Sequence, residues 1–171
     1  MAGGTAALGP PGVPAVARAI GTGTTGAGTG TIGTSDGPFA VHPIGWVESP
    51  LVDRDAAPKQ GEEGAPDAWL VFEPAVSGGL RDLQAGDEIM VLTWLHLARR
   101  QVLVTHPRDD PANPERGVFS TRSPDRPNPI GLHRVTILAI DGSRVLVGNL
   151  EAIDGTPVID VKPVRGRSTE D

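Results

Sequence analysis

The stretch "IGLHRVTILAIDGSRVLVGNLEAIDG", Ile130 to Gly155, reads as two strands joined at Asp141-Gly142-Ser143. β-Branched residues fill both halves, and a Gly-containing break of this kind is a hairpin signal. Working outward, "DEIMVLTWLHL" and "RRQVLVTHP" read as further strands rich in β-branched residues. "FAVHPIGWVE" reads as a strand whose proline suits a sheet edge, and "DAWLVFE" is a short apolar run. "TPVIDVKPV" alternates and ends the fold, "GVFST" is short, and the paired glycines of "PAVSGGLRDL" leave only a weak helical turn or loop. Many short strands with turn signals and almost no helical periodicity predict an all-β barrel or sandwich. No internal repeat is present.

Residues 1–38 differ from the rest: Gly, Ala, Thr and Pro dominate, Arg18 and Asp36 are the charged residues, and the first aromatic is Phe39. Such a segment buries too little apolar surface to offset its ordering entropy. The reading is a flexible tail over 1–38 followed by one domain over 39–171. The tail holds "GTGTTG", Gly21 to Gly26, which matches the dinucleotide-binding glycine pattern. That motif needs a strand before it and a helix after it, and "AGTGTIGTSDGP" does not form a helix.

Composition narrows the chemistry. The 171 residues carry a formal net charge of −6 and no cysteine. Disulfides, thiolate metal sites and cysteine nucleophiles are excluded. The acidic balance lacks the basic footprint usual for nucleic-acid binders, although a local basic patch remains compatible with it. No apolar run approaches the roughly 18 residues of a membrane span, and no signal peptide is legible. A soluble cytoplasmic protein without a membrane partner is the expectation.

Three polar clusters stand out. In "GVFSTRSPDRPNPIG", prolines fix φ and remove donors, which makes a stiff loop that presents Arg122, Arg126 and Asn128. Arginine forks suit carboxylates and phosphates, but a proline-stiffened connector with surface arginines reads equally simply. "DRDAAPKQGEEGAP", Asp53 to Pro66, is a long loop that reads first as a solvated turn. In "AIDGTPVIDVKP", Asp154 is a turn residue or an acid, and Asp160 and Lys162 share a strand face as an ion pair or as catalytic groups. His42, His96, His106 and His133 are scattered without helical ligand spacing, so no metal is expected; His96, near a strand end, suits a pocket lining. No nucleophile motif is present.

Taken together and in order, these clusters resemble the TsaA-like or TrmO family of S-adenosylmethionine-dependent methyltransferases, over roughly Val41 to Val164. "HPIGWVESP" with "PKQG" is similar to its opening signature, "GVFSTRSPDRPNPIGLHRV" to its most specific motif, and "LEAIDGTPVIDVKPV" to its closing one. The resemblance implies a small β-barrel, a homodimer with the cofactor site near the interface, and methylation of N6 of a threonylcarbamoyladenosine beside the tRNA anticodon. It also implies cofactor contacts at Pro58, Lys59, Gln60, His96, Leu97, Arg122, Leu132, Ile153, Asp154, Gly155 and Thr156. Arg122 would pair with the methionyl carboxylate. Arg126 and Asn128 would face the acceptor, with Arg99, Arg100 or Arg108 reaching phosphates. Asp154 or Asp160 would serve as a general base if the acceptor needs one. A small amino-acid-like metabolite as acceptor, or a non-catalytic adenosylmethionine-binding barrel, are the competing readings.

Overall fold

The computed structural model describes residues 40–164. The tail over 1–38, and the ends of the domain at Phe39 and 165–171, lie outside the described residues. Eight strands form: β1 (Gly45–Glu48), β2 (Ala68–Phe72), β3 (Glu88–Trp94), β4 (Val104–Thr105), β5 (Arg116–Gly117), β6 (Ile130–Asp141), β7 (Arg144–Gly148) and β8 (Pro157–Pro163). Six of them close an antiparallel barrel in the order β1-β2-β7-β6-β3-β8, and β8 pairs back to β1 through Gly45↔Val158. Closure leaves no free sheet edge in the barrel. The helical content described is confined to short 3-10 turns, including Pro74–Leu80 where a weak helical turn was expected.

The hairpin at the heart of the sequence reading is β6–β7. Asp141 pairs with Arg144 across a turn in which Gly142 takes φ 58°, a value that glycine adopts without steric cost. The register shifts between Ile137 and Ala139, an irregularity of the bulge kind that bends a strand. Along the first half of β6, residues alternate strictly between exposed and buried. Gly131, His133, Val135 and Ile137 therefore point inward. Val135 and Ile137 share one core cluster with Val47, Leu70, Ile89, Val91, Val145, Val147 and Val158.

The pairings place the ends of β1, β3 and β7 and the beginnings of β2, β6 and β8 at one mouth of the barrel. Three connections, 49–67, 95–129 and 149–156, all leave from that mouth. At this end the interior changes character: Thr93, His133 and Thr156 are buried polar residues.

One expected strand is much reduced. "RRQVLVTHP" keeps only Val104 and Thr105 as a strand, paired with Arg116–Gly117 in a separate two-stranded ribbon. This segment belongs to the 95–129 excursion and lacks a barrel neighbour, so Leu103 and Val104 stay exposed. "GVFST" likewise contributes a 3-10 turn over Val118–Ser120.

Gly131 sits opposite Thr93, and a Cβ built there would lie 2.4 Å from the Thr93 hydroxyl and 2.6 Å from His133 Nε2. Gly131→Ala is expected to cost about 1–3 kcal/mol through overpacking at this buried site. Gly79→Ala, which meets open space, should stay within about 0.5 kcal/mol. Urea unfolding of both variants checks the contrast.

Candidate active site

The three mouth connections are cross-tied into one structure. The centre of the tie is Asp125, which is 4% exposed and lies inside the proline-rich loop. Its Oδ1 accepts from Arg54 Nη2 at 2.8 Å and from the Arg99 backbone N–H at 2.8 Å. Its Oδ2 accepts from Arg99 Nε at 2.8 Å. Arg54 also donates to the Leu97 carbonyl at 3.1 Å, which joins the 49–67 connection to the 95–129 connection. Burial pushes the Asp125 carboxyl up, but hydrogen bonds from Arg99 and Arg54 outweigh it and hold the group below the usual carboxylate range.

The same loop is braced from within by Arg126. Its guanidinium donates to the carbonyls of Ser123 (2.8 Å), Val118 (3.1 Å) and Thr121 (2.6 Å). Prolines remove backbone donors from this stretch, and Arg126 supplies side-chain donors in their place. Arg100 packs over Trp94 at 5.4 Å and donates to the Pro127 carbonyl at 2.8 Å.

The 149–156 connection docks on the first loop. Leu150 N–H donates to the Pro66 carbonyl at 3.0 Å, and a Cβ at Gly61 would lie 2.2 Å from the Asn149 carbonyl oxygen. Gly61 therefore has to be glycine for the two backbones to approach so closely. A strap from His106 to Asn113 crosses to the same loop. Lys59 pairs with Asp109 at 2.7 Å and Arg108 with Glu63 at 2.8 Å. Arg108 and Asp109 hold φ of 62° and 57°, a left-handed conformation uncommon outside glycine.

Between these connections lies a cleft of about 1040 Å³. Pro58, Lys59 and Gln60 line one wall, and His96, Leu97 and Leu132 line another. Arg122, Arg126, Ile153 and Thr156 complete the set of expected residues that the fold brings together. Arg122 is exposed to the cleft and, among the described residues, has no hydrogen bond or ion pair within the chain. Leu97 and Leu132 offer apolar surface, at 55% and 49% exposure. Partial desolvation in the cleft lowers the His96 pKa from the ordinary imidazole value.

Among the residues expected to contact the cofactor or acceptor or to act as a base, Asp154, Gly155, Asn128 and Asp160 do not line the cleft. Asp154 is a turn residue: its Oδ1 accepts from the Ser49 N–H at 3.0 Å, its own N–H donates to Leu51 at 2.7 Å, and Gly155 follows with φ 74°. Asn128 is exposed beside the mouth. Asp160 pairs with Lys162 at 2.6 Å and borders a separate apolar groove with Val76 and Leu80. Of the arginines expected to reach phosphates, Arg99 lines the cleft and Arg108 does not, and both are occupied in ion pairs. Among the described residues no group of three or more His, Asp or Glu is placed to hold a metal. No described helix is long and apolar enough to cross a membrane.

Sequence reading passed over Asp125, Arg54, Thr93 and Glu151, and took His133 only as one of four scattered histidines. An acid between Pro124 and Arg126 was visible, but its partners lie 71 and 26 residues away. Only closure of the barrel identifies them.

A closed six-stranded barrel with a deep, polar cleft at one mouth defines a small-ligand binding domain unlike the open α/β sheets that hold nucleotides at their strand ends. Residues 46–168 match the family model described as the tRNA-methyltransferase O N-terminal domain, and the chain belongs to that family. A probable S-adenosyl-L-methionine-binding protein of Methanothermobacter thermautotrophicus is 43% identical over 129 residues, which span 75% of this chain and 92% of that protein. An S-adenosyl-L-methionine-binding protein of Archaeoglobus fulgidus is 42% identical over 122 residues, covering 71% of this chain and 86% of its own. The crystal structure of TrmO from Pseudomonas aeruginosa superimposes with a TM-score of 0.62 at 27% identity over 78% of this chain. The match spans about three-fifths, 59%, of that TrmO chain.

The clamp on Asp125 makes a stability prediction. Because the folded state lowers this carboxyl's pKa, its contribution is complete above the unfolded value near pH 3.9 and is lost as pH falls through the folded one. Asp125→Ala should lose about 1.5–3 kcal/mol at pH 7. The difference from the unaltered protein should shrink below about pH 4, as read by urea unfolding across pH.

Proposed function

We propose that this chain binds S-adenosylmethionine in the mouth cleft and transfers its methyl group to N6 of threonylcarbamoyladenosine beside the tRNA anticodon. The observation that carries the reading is spatial. Motif residues from three separate segments, Pro58–Gln60, Arg122 and Ile153 with Thr156, converge on one cleft in a chain of this family.

The residues fit the cofactor. It supplies an electrophilic methyl on a sulfonium. Arg122 has an open guanidinium fork for the methionyl carboxylate. Leu97 and Leu132 provide apolar faces for the adenine. Lys59 adds positive charge, which its pairing with Asp109 partly masks. The Asp125 clamp and the Arg126 brace hold Arg122 on a stiff loop, so positioning the reactants is the chief contribution of the protein. The protein works as a homodimer in this reading, and the exposed Leu103, Val104 and Phe119 beside the cleft loops are apolar surface of the kind a partner covers.

A small metabolite as acceptor is the second reading. It is favoured by the net charge of −6 and by the ion pairs of Arg99 and Arg108, which withdraw two of the cations expected to meet a phosphate backbone.

The test is methyl transfer from labelled cofactor to tRNA carrying threonylcarbamoyladenosine, beside tRNA lacking it and a metabolite extract. Label confined to the modified nucleoside is expected. Label in the extract and none in tRNA would overturn the tRNA assignment. Arg122→Ala should weaken cofactor binding by about 1.5–3 kcal/mol in calorimetry, and Arg122→Lys should recover only part of that.

A further inference from the structure

The barrel interior is apolar except at the mouth, where three polar side chains form a chain. Thr93 Oγ1 lies 2.8 Å from His133 Nε2, and His133 Nδ1 lies 2.8 Å from Glu151 Oε1. Apart from this close approach to the Glu151 carboxylate, Nδ1 has no hydrogen-bond partner, although the ring is only 5% exposed. Thr93 is fully buried, which removes it as a nucleophile. Glu151 is the member that reaches the cleft, with 21% of its side chain exposed. Among the described residues it accepts no hydrogen bond from the chain. Its Oε2 lies 3.3 Å from where a Cβ on Gly61 would stand, so it faces the loop that carries Pro58 to Gln60.

The other cleft carboxylates are differently placed. Asp125, Glu88 and Asp109 are tied to arginine or lysine, and Asp55 and Glu62 are exposed. Glu151 is the part-buried carboxylate of the cleft wall whose one close polar contact among the described residues is His133 Nδ1, which leaves its other oxygen available to a ligand. Its neighbours in the chain, Leu132 beside His133 and Ile153 just beyond Glu151, line the same cleft.

We propose that Glu151 is the proton acceptor for methyl transfer, with His133 as the residue that positions it and Thr93 as the anchor of the His133 ring. The proposal rests on the methyl-transfer reading above. An acceptor nitrogen bonded to a purine and a carbonyl delocalises its lone pair into both and is a poor nucleophile. As its N–H proton passes to Glu151, the nitrogen electron pair forms the new N–CH₃ bond. The C–S bond breaks with its electrons going to sulfur. One sulfonium charge and one carboxylate charge are consumed together, leaving a thioether and a carboxylic acid. Asp154 and Asp160, the acids singled out from the sequence, stand outside the cleft, held by Ser49 N–H and Lys162.

The experiment separates binding from transfer. Glu151→Gln should leave adenosylmethionine affinity, by calorimetry, within about 2-fold, while the single-turnover transfer rate falls about 100-fold or more. Formate should restore part of the transfer in Glu151→Ala, which a structural role would not allow. His133→Asn, whose amide stands near the Nδ1 position, should keep most of the transfer; His133→Gln, which reaches toward Thr93 instead, should lose it. A tenfold loss of cofactor affinity in Glu151→Gln would assign the carboxylate to cofactor binding and overturn the proposal. Transfer at the unaltered rate in Glu151→Gln, or no rescue by formate, would overturn it as well. Absence of transfer by the unaltered protein to tRNA and to metabolites alike would sink the methyl-transfer reading, and this proposal with it.

Discussion

One carboxylate holds the cleft together. Asp125 is buried in a loop so rich in proline that its backbone has few donors of its own, and two arginines from other segments converge on it. Removing a charge from water is costly unless the charge is paired and hydrogen-bonded, and here both oxygens are engaged. Arg54 brings the 49–67 connection, Arg99 brings the segment after β3, and the proline loop supplies the acid. Two of the three mouth connections meet at this contact, and the 149–156 connection joins them through Leu150 and Pro66.

Rigidity achieved this way explains why so much of the loop's charge is unavailable to ligands. Arg126 spends its donors on three loop carbonyls, and Arg100 is engaged with Trp94 and Pro127. Arg122 is the cation of the motif left open toward the cleft. A guanidinium held by a stiff loop loses less freedom when it captures a carboxylate, and preorganisation of this kind raises affinity without added contacts. The barrel below provides the fixed base, since its closed ladder leaves the mouth connections as the variable part of the architecture.

The division of labour inside the barrel is equally physical. From Ile137 down to Val135 the inward positions of β6 are aliphatic, and then His133 and Gly131 follow toward the mouth. A histidine there meets a threonine on β3 and a glutamate from the last connection. Gly131 is small because the Thr93 hydroxyl and the His133 ring occupy the space a side chain would need. The transition from core to site thus occurs within a single strand, over two alternating positions.

Much of this was legible from residue order. The Gly-containing break at Asp141–Ser143, the β-branched runs and the alternation at Val158–Val161 predict an all-β barrel or sandwich, because a period of two dictates which side chains meet water. Local proline chemistry likewise marks Gly117–Gly131 as a stiff loop, and three motifs in register point to one family. Other features depend on contacts between distant residues. Whether Val104 belongs to a barrel strand depends on having a neighbour, and none is there to pair with it beyond Arg116–Gly117. Arg126 and Asp154 look like site residues in one dimension, yet their polar groups are taken by loop backbone. Asp125, His133 and Glu151 acquire their roles from partners on other segments. Residue order sufficed for the barrel strands, the rigid loop and the kinship, but not for the fate of the segment around Val104. Tertiary structure alone decided which charges are satisfied internally and which remain for a ligand, because that balance is set by burial and by partners that only the closed barrel brings within hydrogen-bonding distance.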